Sequence, residues 1–220
     1  MPEDSSLAWD AVVIAGGAGS RLGGASKPEL VVGGVALVDR TLAAVAGARA
    51  VMLVGGPRRE GVGWTVEDPP RSGPAAAVAA GVAALAAAAR GGGVGAGGAA
   101  GPAPWTVVLG VDTPRAEQAV QALLAAREGD GGALVDGATS CDGVTSFDGA
   151  WLVDGEGREQ PLVAVYRTRV LAAHAEGDLI GASLRRLVGG LAMIAVPDTA
   201  GLSRDLDTWD DARFWKETLG

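Results

Sequence analysis

The sequence predicts a three-layer α/β fold, a mostly parallel sheet with helices on both faces, and three observations lead there. Short β-branched runs alternate with longer Ala- and Leu-rich helical patterns, the order that builds parallel sheets through crossover helices. The firmest runs, Val12-Val13-Ile14 and Trp105 to Val111, carry no charge, as strands covered on both faces require. The length of 220 residues suits one such domain with a substantial core.

Taken in order, Val12–Ala15 reads as the first strand and Ala36–Ala46 as helix. Ala50–Val54 and Trp64–Glu67 read as the next two strands. Pro74 sits at the start of a long Ala-rich helix reaching about Arg90, since proline suits a first helical turn. Residues 91–104 are Gly/Ala/Pro-rich, without charge or periodicity, and predict a flexible surface loop within the same domain. Trp105–Val111 is a strand, and Pro114 opens a helix to Arg127. A short strand at Ala133–Val135 precedes an Asp/Gly/Ser-rich insertion over 137–150. Leu162–Tyr166 then reads as strand, Thr168–Glu176 and Ala182–Val188 as helices, Leu191–Val196 as a late strand and Trp209–Leu219 as a terminal helix.

Composition excludes several classes of protein. A single cysteine, Cys141, and a single histidine, His174, leave no intrachain disulfide and no Cys- or His-rich metal centre. His174 lies in a helical pattern and reads as a surface or supporting residue. The net charge of −8 opposes a nucleic-acid partner, which calls for a basic face. No apolar stretch is long enough to span a membrane, and the acidic start, Met-Pro-Glu-Asp, lacks the basic opening of a secretory signal. A cytoplasmic protein is expected.

The chemistry concentrates after the first strand. Gly16, Gly17 and Gly19 follow Ile14 and Ala15, and successive glycines let backbone N–H groups approach an anion. Arg21 and Lys27 add two cations to that loop. A P-loop would close on Gly-Lys-Ser/Thr, but Lys27 is followed by Pro28. A dinucleotide fingerprint would need glycine where Leu22 stands. A strand, a glycine loop and two cations suit a nucleoside triphosphate, whereas glycines alone would also suit a tight connection with no ligand.

The run Ala15-Gly16-Gly17-x-Gly19-x-Arg21-Leu22-Gly23 followed by Lys27-Pro28 resembles the signature loop of nucleotidyltransferases, and most closely that of the molybdenum cofactor guanylyltransferases, the MobA-like proteins. Glu67-Asp68-Pro69-Pro70-Arg71-Ser72-Gly73-Pro74 is similar to that family's second nucleotide-contacting segment. Val111-Asp112-Thr113-Pro114 is similar to its metal-binding motif. Gln160-Pro161 through Arg167, Ser183-Leu184-Arg185 and Asp205-Leu206-Asp207-Thr208 match its C-terminal blocks in order, so the likeness spans about residues 10–212.

The resemblance implies the Rossmann-like nucleotidyltransferase fold and transfer of GMP from GTP to molybdopterin with Mg²⁺ as cofactor. It also implies transient contact with proteins that handle the molybdenum cofactor. It places Ile14, Ala15, Gly16, Gly17, Lys27, Asp68, Gly73, Pro74 and Asp112 at the nucleotide, and gives Arg21, Lys27 and Asp112 the catalytic roles. Gln160, Arg167, Ser183 and Arg185 fall on the acceptor side. Asp112 is the first metal ligand, unless it caps the helix after Pro114. Asp207 is the second, unless it caps the helix at Trp209. Relatives tend to carry Asn near Asp205 and Asp207, so this chain departs from the pattern there. A cytidylyl- or sugar-phosphate nucleotidylyltransferase, or a non-catalytic nucleotide-binding protein, would keep the same loops.

Overall fold

The computed structural model describes residues 5–16, 26–91, 101–128, 133–134 and 147–219. Eight strands form one sheet: β1 (Trp9–Ile14), β4 (Val51–Val54), β5 (Gly63–Thr65), β6 (Trp105–Gly110), β7 (Ala133–Leu134), β8 (Gly149–Val153), β9 (Glu159–Arg167) and β10 (Met193–Pro197). Their spatial order is β5-β4-β1-β6-β9-β8-β10-β7. All neighbours run parallel except where β9 lies between β6 and β8, and where β7 meets β10. A separate two-stranded hairpin, β2 (Val31–Val32) with β3 (Val35–Ala36), precedes the first helix.

The central strands are buried on both faces, and alternation sorts their side chains. Ala11 and Val13 of β1 join one core with Val107 and Leu109, under α1 (Leu37–Ala44) and α3 (Ala116–Glu128). Val12, Ile14 and Val108 join the opposite core, under α2 (Pro74–Arg90), α4 (Thr168–His174) and α5 (Leu184–Val188). Gly81 sets the depth of α2. A Cβ there would come 2.5 Å from Val12 and 2.9 Å from Val54, so glycine lets the helix settle onto β1 and β4. A third, smaller cluster joins Val32 and Leu37 to Leu206 and to Trp215 of α6 (Trp209–Leu219).

The predicted three-layer fold is the observed one, and α2 and α6 have the predicted ends. Three local readings need correction. The insertion expected over 137–150 is too long at its end, because Gly149 and Ala150 begin β8 and pair with both β9 and β10. Asp148 and Gly149 look like turn residues, and only the pairing on both sides makes this segment a strand. Leu162–Tyr166 is the middle of the longer β9, which runs against its neighbours. Pro114 lies in the turn before α3, whose first closing bond runs from the Ala116 N–H to the Thr113 carbonyl at 3.1 Å. Most of the expected loop at 91–104, positions 135–146 of the expected strand and insertion, and Cys141 lie outside the described residues.

No helix among the described residues is long and apolar enough to cross a membrane.

Candidate active site

The C-terminal ends of β5, β4, β1 and β6 stand side by side at one sheet edge, where ligands of open α/β sheets bind. A cleft of about 700 Å³ opens there, within the size range of small-molecule sites. Ile14, Ala15 and Gly16 line it after β1, Gly110 to Asp112 at the end of β6, and Glu67, Pro70, Arg71, Gly73 and Pro74 after β5. Gly55 and Gly56, after β4, complete the wall. Both have positive φ (+69° and +62°), and added Cβ atoms would stand 3.0 Å from the Gly16 Cα and 2.7 Å from the Ala15 Cβ. The two strand-end loops therefore pack backbone against backbone, and only glycine permits it. The sequence reading passed over this pair, although Val54-Gly55-Gly56 repeats the strand-then-glycine signal of Ile14 to Gly17.

The charged end of the cleft lies at β6. Lys27 sits on a short 3-10 turn (Lys27–Glu29) anchored by buried Pro28. Its Nζ donates to Asp112 Oδ2 at 3.0 Å and to Asp207 Oδ1 at 2.5 Å. Burial alone would lower the Lys27 pKa, but the Asp112 charge and the bonds to both carboxylates outweigh it and leave the pKa raised. The Asp112 carboxylate folds back over Gly110, where a Cβ would stand 2.3 Å from Oδ1. Any side chain at 110 would push that carboxylate away.

Asp207 is delivered by its neighbours. Leu206 is fully buried in the α6 cluster, and its N–H donates to the Asp112 carbonyl at 2.8 Å. In an extended segment this sends the flanking Asp205 and Asp207 the other way. Upstream, the Asp198 carboxylate accepts the Leu202 N–H, the Ser203 N–H and the Ser203 hydroxyl at 2.6–2.7 Å, shaping the turn that feeds this segment. Desolvation would raise the Asp198 pKa, but those bonds lower it overall. Desolvation, and then repulsion from Asp207 and Asp112, raise the pKa of Asp205. Among the described residues, Asp112, Asp205 and Asp207 thus gather around Lys27 at this end of the cleft.

The two helix-cap alternatives are accounted for. Thr208 caps α6, its hydroxyl accepting the Asp211 N–H at 3.2 Å while Asp211 accepts the Thr208 N–H at 2.9 Å, a reciprocal capping box. The Asp112 carboxylate turns to Lys27. Among the described residues, no cluster of three or more His, Cys, Asp or Glu is placed to hold a metal. Asp112 and Asp207, both reaching one ammonium, do present hard oxygen donors converging on a point that favours a cation. That suits a divalent ion completing its shell with phosphate and water oxygens.

The remaining expected residues divide. Gly73 and Pro74 line the cleft, and Arg71 beside them holds φ +70° with its N–H on Glu67 Oε1 at 2.8 Å. Asp68 is exposed and is not part of the wall. Ser183 caps α5, accepting the Arg186 N–H, and the Gly181 N–H donates to the Ser72 carbonyl at 2.8 Å. The start of α5, with exposed Arg185, therefore sits beside the Ser72-Gly73 segment. Gln160 is held by Asp154 Oδ2 at 3.1 Å, on the β8–β9 connection. Arg167 lies at the opposite edge of the sheet. Antiparallel β9 pairs it with Trp105, the first residue of β6, and its guanidinium rests 4.6 Å over that ring. It is not brought to the cleft. His174 donates its Nδ1–H to the Leu187 carbonyl at 3.0 Å, tying α4 to α5. Gly17 and Arg21 lie outside the described residues.

Residues 11–194 match the family model described as the MobA-like NTP transferase domain. A search of curated protein sequences returned no match. Among solved structures, molybdopterin-guanine dinucleotide biosynthesis protein A from Archaeoglobus fulgidus is 17% identical with a TM-score of 0.63, over 95% of this chain and 97% of that one. The 2-C-methyl-D-erythritol 4-phosphate cytidylyltransferase from Thermus thermophilus is 20% identical with a TM-score of 0.52, over 94% and 96%. A UDP-glucose pyrophosphorylase from Acinetobacter baumanii is 11% identical with a TM-score of 0.59, over 97% and 93%. At these identities the solved structures show a shared fold.

Proposed function

The chain belongs to the MobA-like NTP transferase family, and we propose that within it residues 1–220 act as a single domain moving GMP from GTP onto the terminal phosphate of molybdopterin. The observation that carries this reading is the division of the cleft: glycines and apolar residues line it along β4 and β1, Glu67 and Arg71 join them after β5, and paired carboxylates with a lysine stand at β6. A nucleotide fits with its base along the glycine-rich wall of β4 and β1 and its phosphates toward Lys27 and the paired carboxylates. Backbone groups of Ile14 to Gly17 and of Gly73-Pro74 read the guanine.

In the reaction, an acceptor phosphate oxygen attacks the α-phosphorus in line. The bond from that phosphorus to the bridging oxygen breaks, and pyrophosphate leaves with the electron pair. Asp112 and Asp207 would hold Mg²⁺, which when bound screens the charge of the approaching phosphates. Lys27 contributes a point charge to the phosphates, and Arg21 meets the charge growing on the leaving pyrophosphate. No covalent enzyme intermediate is required, and catalysis comes from positioning and electrostatics. The acceptor approaches past Ser183 and Arg185, beside Gly73. A cytoplasmic location agrees with such substrates.

Calorimetric titration with GTP, CTP, ATP and UTP in Mg²⁺ tests the reading, followed by pyrophosphate release with molybdopterin. Selective GTP binding that weakens in Asp112→Asn supports it. A preference for CTP, or release only with a sugar phosphate, moves the chain to the cytidylyl or sugar-nucleotide reaction. Binding without release for any acceptor leaves a nucleotide-binding protein.

A further inference from the structure

We propose that Lys27 is a resident cation of the Asp112–Asp207 pair in the nucleotide-free protein, so that the pair accepts a divalent metal only when nucleotide phosphates draw Lys27 away. The Lys27 side chain is 17% exposed and its ammonium contacts both carboxylates. The residues suited to a divalent cation therefore already neutralise an internal charge. A metal arriving alone must displace that ammonium and leave it part-buried with no anionic partner at the pair, which is unfavourable. A triphosphate removes the obstacle, because its oxygens are an alternative anionic partner within the same cleft. The loop chemistry permits the move. Lys27 has a four-carbon stem rising from a turn pinned by Pro28, so the ammonium can swing while the backbone stays.

The consequence is thermodynamic coupling, and it is reciprocal. Nucleotide raises metal affinity, metal raises nucleotide affinity by the same factor, and both effects shrink when residue 27 carries no charge. Metal alone is a poor ligand, and metal-nucleotide enters as a unit.

The test is Mn²⁺ binding to the full chain, read by the paramagnetic signal of free Mn²⁺. Without nucleotide, Lys27→Met is expected to bind Mn²⁺ about tenfold or more tightly than the unaltered protein, because one ammonium no longer opposes it. Lys27→Gln, which keeps a polar stem, is expected to do the same should the methionine variant fold poorly. Arg71→Gln removes another cleft cation that contacts neither carboxylate, and is expected to change Mn²⁺ affinity far less. Adding Asp112→Asn to Lys27→Met is expected to abolish the gain. The inference is overturned if neither Lys27 variant binds Mn²⁺ more tightly, if Arg71→Gln gains as much, or if the gain survives Asp112→Asn.

The inference rests on the transferase reading for its nucleotide, but the metal-only titration stands apart from it. A gain in Mn²⁺ affinity together with no pyrophosphate release from any nucleotide and acceptor would uphold Lys27 as a resident cation and reject the transferase.

Discussion

Strand β1 carries an ion cluster near each of its ends, and the two are built on different principles. At its start, Asp10 is 1% exposed and accepts Arg49 Nε at 3.2 Å, Arg49 Nη2 at 3.1 Å and the Ala103 N–H at 2.7 Å. Arg49 also donates to the Gly101 carbonyl at 2.8 Å. One carboxylate meets one guanidinium, the charges cancel, and hydrogen bonds fix the geometry of both. Past the other end, Lys27 faces Asp112 and Asp207 with Asp205 close by. Among the described residues, three carboxylates gather at one ammonium there, and Lys27, Asp112 and Asp207 border an open cleft. A matched, enclosed pair holds a fold together. A carboxylate-rich cluster bordering a cleft is placed to receive charge from outside.

The contrast predicts opposite outcomes from similar substitutions. The largest effect is expected on turnover: Asp112→Ala and Lys27→Ala should each slow pyrophosphate release about 100-fold or more, with melting temperatures close to the parent. Near-normal rates in both would erase the functional half of the comparison. Arg49→Ala should do the reverse. It strands a buried carboxylate and should cost about 3 kcal/mol in chemical denaturation, while the folded fraction turns over normally. A loss of turnover without loss of stability would show that the two clusters had been assigned the wrong way round.

Gly110→Ala sharpens the comparison at smaller scale. Its Cβ would collide with Asp112 Oδ1, so the carboxylate must turn away and turnover should fall about tenfold, the order of one displaced catalytic group. Gly110→Ala with unchanged turnover would mean that the placement of Asp112 over Gly110 is irrelevant. The smallest effect is expected at Asp198, whose hydrogen bonds hold its pKa below the ordinary 3.8. A depressed carboxyl pKa stabilises the fold above that value and loses the contribution as pH falls through the folded-state value. Asp198→Asn should therefore melt lower than the parent at neutral pH, with the gap closing as the pH is taken below 3.8. A gap independent of pH would place the role of Asp198 in shape rather than charge.

Much of the site was legible because it is written in local pattern. The β-branched run ending in Ala15-Gly16, Pro74 opening α2, and Asp112 at the end of β6 are each recognisable from a few adjacent residues. Gly55-Gly56 carried the same local signal and was readable in principle. The place of Arg167 was not. It ends β9, and only the antiparallel insertion of that strand between β6 and β8 sends Arg167 to the edge away from the cleft.

By itself the sequence determined the layers, the ends of α2 and α6 and the supply of charged residues, since periodicity and turn chemistry act over a few neighbouring positions. The tertiary structure alone decided which charges meet. Lys27 reaches Asp112 across 85 positions and Asp207 across 180, a meeting set by strand order, by Leu206 buried beneath α6, and by the absence of a side chain at Gly110. Those are contacts between distant segments, and no local pattern specifies them.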